Sequence, residues 1–237
     1  MTIIIPTLNE EKRIETLIHY LRSLPNSKRF EIIVVDGGST DNTCAYARKA
    51  GAILLNSPHK GRASQMNYGA KNAHSDILFF LHADSTPPTS LWKDVHRAVE
   101  EGYPIGSYRT RFDTSSFLLR INAFFTRFDK LWCRGGDQGL FITKTLFTEL
   151  NGFREDYVIM EDYDIIIRAR KNHPFRIIPK AMLVSSRKYD TNNYLRVQLA
   201  NMKIFRMYAK GASQQEMVRR YNHLLNYRYG KNPFHYE

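Results

Sequence analysis

The stretch I-I-V-V-D-G-G-S-T-D-N-T, Ile32 to Thr43, decides the fold. Ile32 to Val35 is an unbroken β-branched run, the composition of a strand covered on both faces, as in a parallel sheet. Asp36 is the first polar side chain past its carboxyl end, the edge where open α/β sheets bind ligands. Gly37 and Gly38 permit close backbone approach or positive φ, and Ser39 or Asp41 can cap the helix that follows. Taken alone, this aspartate reads equally as a ligand-binding group and as a cap of its own turn.

The same pattern recurs on either side. Thr2 to Pro6 predicts a first strand, and the polar T-L-N-E leads into a helix from about Glu10 to Leu24, with Ile14, Leu17, Ile18 and Leu21 at helical spacing. A helix over Asn42 to Ala50, closed by Gly51, precedes a strand from Ala52 to Leu55. A basic loop, His59 to Arg62, then leads to a helix over Ala63 to Ala73 and a buried strand over Ile77 to Leu81. Strand alternating with helix predicts a parallel sheet with helices on both faces. Because Ile77 to Leu81 runs into His82-Ala83-Asp84-Ser85, two buried strands deliver aspartates to one sheet edge.

Further along, Ile105 to Phe112 alternates as a half-exposed strand would, and Ser115 to Trp132 is apolar and aromatic at helical spacing. Gly135-Gly136-Asp137-Gln138-Gly139 opens a strand ending near Thr143, and Lys144 to Leu150 predicts a helix. Met160-Glu161-Asp162-Tyr163-Asp164 starts a helix to about Lys171, with acids in its first turn and bases in its last. A strand pair, Phe175 to Ile178 and Ala181 to Ser186, follows, and then two helices, Tyr194 to Lys210 and Ser213 to Tyr229, broken at Gly211.

The 237 residues, 43% of them hydrophobic, suffice for one enzyme-sized core with an appendage, which predicts a domain over 1–190 and a helical tail over 191–237. Cys44 and Cys133 fit no metal or redox spacing, and the opening M-T-I-I-I-P resembles no secretory leader, so a reduced cytoplasmic setting is expected. Net charge is +12, unevenly spread: 20 basic residues balance 20 acidic ones up to Ile167, and 15 face 3 from Arg168 onward. Such a basic tail suits an anionic partner, whether membrane surface, nucleic acid or phosphorylated substrate, or it is simply a solvated face.

Read in order, Pro6-Thr7-Leu8-Asn9-Glu10, Val35-Asp36-Gly37-Gly38-Ser39-Thr40-Asp41, Gly61-Arg62, His82-Ala83-Asp84 and Glu161-Asp162 resemble the signature of family 2 glycosyltransferases with the GT-A fold. The likeness spans about Thr2 to Ser186. Within the family, G-R-A-S-Q-M-N and H-A-D-S are similar to a small bacterial branch, the rSAM/selenodomain-associated glycosyltransferases. The resemblance implies an α/β fold with a mostly parallel central sheet, flanking helices and, here, C-terminal helices. It implies inverting transfer of a sugar from a nucleotide-sugar donor, UDP-linked by expectation, to an acceptor hydroxyl or a lipid phosphate.

By the same resemblance, Pro6, Thr7, Glu10 and Asp36 hold the nucleoside, and Arg62 lies against nucleotide or phosphate, a partner suited to its forked guanidinium. Asp84 matches the last residue of the family's D-x-D motif, whose carboxylate holds Mg²⁺ or Mn²⁺ between donor phosphates. His82 stands where the first acid would be, and it can ligate Mn²⁺ more readily than Mg²⁺ or only hydrogen-bond nearby. Gly135, Gly136, Asp137 and Gln138 read equally as a glycine turn and as a contact to sugar or acceptor. Asp162 aligns with the family's catalytic base, expected ionised at neutral pH, and Glu161 beside it orients a neighbour or caps the turn. The Q-x-x-R-W motif is absent, which argues against processive polymer synthesis; Ser185-Ser186-Arg187-Lys188-Tyr189 stands in its place, with Arg187 in reach of a diphosphate.

Two other readings compete. A sugar-phosphate nucleotidyltransferase needs a glycine-rich phosphate loop after the first strand, and Thr7 to Glu11 lacks one. A nucleic-acid-binding module could use Tyr208, Tyr221, Tyr227 and Tyr229 among the tail's bases, but it leaves the acid motifs unexplained. The expected partners are therefore a nucleotide sugar, an acceptor that a lipid can carry, no nucleic acid, and an anionic inner membrane face. For that last contact Leu195, Leu199, Ile204, Met207 and Tyr208 form an apolar stripe beside Arg196, Lys203, Arg206 and Lys210, unless the stripe packs against the domain.

Overall fold

β1 (Thr2–Thr7) carries Ile3 and Ile5 on one face and Ile4 on the other, and all three are fully buried. A strand apolar on both sides demands cover on both sides. The computed structural model, which describes residues 1–225, supplies it with helices on the two faces of an eight-stranded sheet. After β1 come α1 (Ile14–Ser23), β2 (Glu31–Asp36), α2 (Thr43–Lys49), β3 (Ile53–Asn56), α3 (Arg62–Lys71) and β4 (Ile77–Phe80). β1 pairs in parallel with β2 and β4, and β2 with β3, so Thr7 faces Asp36 at the carboxyl edge.

The second half of the sheet is mixed. β5 (Ser85–Thr86), α4 (Leu91–Glu100), β6 (Ile105–Phe112), α5 (Phe117–Phe125), β7 (Leu140–Thr143), α6 (Lys144–Glu149), α7 (Glu161–Ala169) and β8 (Phe175–Val184) follow, then α8 (Lys188–Thr191), α9 (Tyr194–Ala209) and α10 (Gln214–Leu224). β7 runs antiparallel between β4 and β6, β8 lies parallel to β6, and β5 closes the sheet antiparallel to β8. The strand order is β3-β2-β1-β4-β7-β6-β8-β5. Ile3, Ile5, Ile14, Ile18 and Val95 share the core on one face; Ile4, Val35, Met66, Phe147 and Ile165 share the other. Each such side chain contributes roughly 1.5–3 kcal/mol by leaving water.

The sheet is mostly parallel, as expected: β3 to β4 pair in parallel throughout, as do β6 and β8. Other expectations are corrected. The first helix starts at Ile14, not Glu10; the Glu10 and Glu11 N–H groups bond instead to Thr43 Oγ1 at 2.8 Å and Asp41 Oδ2 at 3.3 Å, which tie this stretch to the loop after β2. β6 is buried over most of its length, since β8 and α5 cover it. The expected strand pair is one strand: Ile178 pairs with Tyr108 and Ala181 with Arg109, so Pro179 and Lys180 bulge out. A bulge is where a residue without an N–H can sit inside a ladder. Of the apolar stretch, Phe117–Phe125 is α-helical and Leu131–Cys133 forms a single 3-10 turn.

The tail packs on the domain through Val197, Ala200, Ile204, Met217 and Tyr221, with Ile159 from the loop before α7 in the same cluster. Its apolar stripe is therefore split, Ile204 facing inward while Leu195 and Leu199 stay exposed. Tyr208 stacks edge-on with Tyr157, and Tyr221 bonds Lys188 at 2.5 Å, so neither is a spare stacking platform. The expected helix end at Tyr229, and Tyr227, lie outside the described residues. Among those described, no helix is long and apolar enough to cross a membrane.

Candidate active site

The loops after β1 and β2 are joined by their short polar side chains. Asn9, at φ 56°, accepts from the Thr40 N–H at 2.8 Å while its own N–H donates to Ser39 Oγ at 2.9 Å. Asp36 is only 4% exposed: Oδ2 accepts from the Gly38 and Ser39 N–H groups at 2.8 Å, and Oδ1 from Ser39 Oγ at 2.5 Å and Thr7 Oγ1 at 3.4 Å. Four donors fill the acceptor sites of one carboxylate. Asp36 thus shapes the turn that presents Gly37 and Gly38 to the cleft. A base edge would meet Asp36 only by replacing one of those hydroxyls.

The motif G-R-A-S-Q-M-N is a row of anchors along α3. Buried Gln65 donates through Nε2 to the Thr7 and Val35 carbonyls, both at 2.8 Å, tying β1 to β2 where they end. Its amide lies 3.0 Å from where a Cβ on Gly37 would stand, which accounts for glycine there. Ser64 Oγ donates to Glu155 at 2.9 Å, and Asn67 both donates to and accepts from the Phe153 backbone at 2.9 Å. Arg62 reaches Glu161 at 3.1 Å. One helix therefore positions the whole loop that delivers Glu161 and Asp162.

Asp162 opens α7 beside the turn Gly136–Gln138. A side chain at Gly136 would put its Cβ 2.2 Å from Asp162 Oδ2 and 2.8 Å from His82 Cε1, so only glycine lets turn, carboxyl and imidazole meet. Burial, then the charge of Glu161, pushes the Asp162 carboxyl up to about 8, against the pull of Arg62. Asp137 is raised as well, by burial and then by Asp84. Burial and then Arg62 push His82 down to about 4. A low-dielectric pocket with further carboxyls disfavours another negative charge, so Asp162 gives up its proton less readily than an ordinary aspartate, and the buried imidazole of His82 takes one up less readily than an ordinary histidine.

Asp84 follows β4, and its carboxylate is one-fifth exposed to the cleft, with Arg187 Nη2 at 2.9 Å from its Oδ2. The same guanidinium holds Glu10 through two bonds, at 2.7 and 3.1 Å. Gln138 and Arg134 are buried tethers: the Gln138 amide donates to the Cys133 carbonyl at 2.6 Å, and Arg134 donates to Ser107 Oγ at 3.3 Å and to the Thr126 and Phe128 carbonyls. Arg134 was not singled out in the sequence, and Ser64, Gln65 and Asn67 entered only within the motif G-R-A-S-Q-M-N; what they anchor shows only in three dimensions.

Every site residue expected from the sequence except Asp36 lines one cleft of about 2370 Å³: Pro6, Thr7 and Glu10 from β1 and its loop, Arg62 from α3, Asp84 after β4, Gly135 to Gln138, Glu161 with Asp162, and Arg187. The chain belongs to glycosyl transferase family 2. The family matches residues 2–173, which include all of these but Arg187. Among relatives in the family, the chain is 30% identical over 145 residues to the undecaprenyl-phosphate 4-deoxy-4-formamido-L-arabinose transferase of Proteus mirabilis, an alignment covering 54% of this chain and 43% of that one. It is 27% identical over 110 residues to the dolichol-phosphate mannosyltransferase of Pyrococcus furiosus, 44% of this chain and 31% of that one. It thus spans less than half the length of either. The fold is GT-A: the mannosyltransferase PcManGT of Pyrobaculum calidifontis, solved with GDP-Man and Mn²⁺, superposes with TM-score 0.69 at 18% identity over 94% of this chain and 69% of that one. S. aureus TarS in complex with UDP-GlcNAc gives 0.64 at 18% identity over 95% and 71%.

A divalent cation fits these residues in one way only. Among the described residues no three His, Cys, Asp or Glu side chains converge to enclose a metal. Small hard cations at phosphate-transfer sites need no such cage, being held by one or two carboxylates together with substrate phosphates and water. Asp84 is such a carboxylate, facing the cleft, and Arg187 would have to yield its hold.

Proposed function

We propose that the cleft transfers a sugar from a nucleoside-diphosphate donor, read as UDP-linked, to an acceptor hydroxyl or a lipid phosphate, with inversion at the anomeric carbon. The observation that carries this reading is the convergence of a buried carboxyl, Asp162, with Asp84 and Arg187 on one cleft. The loop of Thr7, Gly37 and Gly38 would take the nucleoside, and Arg187 and Arg62 would face the diphosphate, whose charge their guanidinium forks match. A divalent cation held at Asp84 would neutralise the diphosphate as it leaves. The acceptor oxygen forms the new bond to the anomeric carbon while the bond to the diphosphate breaks with its electron pair, and a hydroxyl acceptor's proton passes to Asp162. A base whose affinity for protons sits near the working pH serves that transfer well. Asp162 must therefore stand deprotonated before the step, whereas a lipid phosphate, already anionic, needs no base. The undecaprenyl-phosphate and dolichol-phosphate relatives support an acceptor carried by a lipid, and the basic α9 supports contact with an anionic membrane.

The test is turnover across a panel of nucleotide sugars, with and without Mn²⁺. Metal-stimulated release of a nucleoside diphosphate from at least one donor, lost in Asp84→Ala, is expected. No release from any donor removes the reading.

A further inference from the structure

Apart from Ile53, every exposed large hydrophobic residue among those described lies in the segments 117–132 or 195–202. Phe117 is 71% exposed, Trp132 57%, Leu195 67% and Leu199 59%. In the first segment the rings form one cluster, Phe124 to Phe128 at 5.7 Å and Phe125 to Trp132 at 6.0 Å. Phe125 and Trp132 from that cluster, and Leu195, Leu199 and Met202 from α9, line the same cleft as Asp84 and Asp162. Contiguous apolar surface on this scale marks an interaction site rather than ordinary scatter.

The charge around it has one sign. Arg120, Arg127 and Lys130 are exposed in the first segment, Lys203 and Arg206 on α9, and among the described residues no carboxylate pairs with any of the five. α9 contains no acidic residue, and Asp129, the one acid between Phe117 and Trp132, is bound to Arg170. Aromatic rings interleaved with unneutralised bases are the composition of a surface that enters the headgroup layer of an anionic bilayer.

We infer that α5, the turn carrying Trp132 and the outer face of α9 dock together on an anionic lipid surface, with the cleft opening toward the bilayer. The docked rim then brings a lipid-borne acceptor to the mouth of the cleft that holds Asp162. That role in delivery rests on the proposed transfer; the docking does not.

The experiment uses the full chain with Trp92→Phe, which leaves Trp132 as its single indole, and vesicles of phosphatidylcholine with or without phosphatidylglycerol. Sedimentation with the phosphatidylglycerol vesicles and quenching of Trp132 by brominated acyl chains are expected. Phe117→Ser, at a side chain with no ring partner, should weaken vesicle binding about tenfold, the value of one aromatic side chain leaving water. Its circular dichroism and nucleotide binding should not change. No phosphatidylglycerol-dependent sedimentation overturns the inference, as does sedimentation without quenching, which would place the charge contact elsewhere. Shielding of Trp132 without lipid, rising with protein concentration, would assign the face to a second copy of the chain and equally overturn it. Vesicle binding with no donor turnover would fail the transfer reading alone; turnover with no vesicle binding would fail the docking alone.

Discussion

Arg187 joins the two acids that flank the cleft, its Nη2 lying 2.9 Å from Asp84 and 2.7 Å from Glu10. A guanidinium so placed occupies the carboxylate that a metal ion would need. Arg187→Ala should therefore bind Mn²⁺ alone more tightly than wild type, as followed by the resonance of free Mn²⁺. Binding of UDP with Mn²⁺ should weaken ten- to hundredfold, because a charge-assisted contact worth about 1.5–3 kcal/mol is lost. Unchanged affinity in both titrations would mean that Arg187 neither competes with the metal nor meets the diphosphate.

Asp84→Ala separates the metal from the nucleotide. Calorimetry on wild type should show Mn²⁺ strengthening UDP binding, and in the variant that enhancement should vanish while metal-free binding persists. Equal enhancement in both proteins would remove Asp84 from the site.

Gly136 and Gly135 make a matched pair. A methyl group at 136 meets Asp162 Oδ2 at 2.2 Å, whereas one at 135 meets only Asp137 Oδ1, at 2.8 Å. Gly136→Ala must displace the buried carboxyl, at a cost of about 1–3 kcal/mol for overpacking, and transfer should fall roughly 10²-fold from misplacement. Gly135→Ala should be milder in both, since the Asp137 side chain can turn aside. Equal activities measured on the same donor would show that the approach of Gly136 to Asp162 is unimportant.

The strand that Ile32 to Val35 predicts, and the aspartates delivered to one edge, were legible because buried strands have a composition and a polar end that no neighbour needs to supply. The shape of the second half was not. That β7 inserts antiparallel between β4 and β6, and that β8 absorbs Pro179 in a bulge, depend on pairings between residues more than thirty positions apart. The acid motifs were legible, but the raised proton affinity of Asp162 was not, because it comes from burial and from the convergence of Glu161 and Asp137 in three dimensions. Asp36 shows the reverse case: its stretch alone left two readings level, the resemblance turned it toward the nucleoside, and the structure adds the four hydrogen bonds by which it also shapes its own turn.

Asn67 carries a prediction of the same kind. It exchanges two 2.9 Å bonds with the Phe153 backbone, so Asn67→Ala leaves a partly buried N–H and carbonyl without that partner. A loss of about 1–3 kcal/mol is expected, or a fall in Tm of about 2–4 °C per kcal/mol for a chain of this size. UDP affinity should hold while transfer drops, since the loop leading to Asp162 loosens. A variant that loses UDP binding first would show that α3 serves the donor side instead.

Asp162→Asn tests the base by two independent readouts. In the folded protein the carboxyl is held up to about 8 by burial and Glu161, and in the unfolded chain it falls near the ordinary value of about 3.9. Between those values the native state binds more protons than the unfolded state, so this group's stabilisation is fully present below about pH 4 and is lost as pH rises to about 8. The slope is at most about 1.4 kcal/mol per pH unit. Asparagine has no such proton to lose. The Tm of Asp162→Asn should therefore gain on wild type from pH 5 to pH 8 and level off above, measured with chelator and no nucleotide. Transfer to a hydroxyl acceptor should rise with pH toward 8 in wild type and be about 10²- to 10⁴-fold lower and flat in the variant. Parallel Tm curves would mean that Asp162 is ionised throughout; a variant as active as wild type would mean that the acceptor arrives already anionic, as a lipid phosphate does.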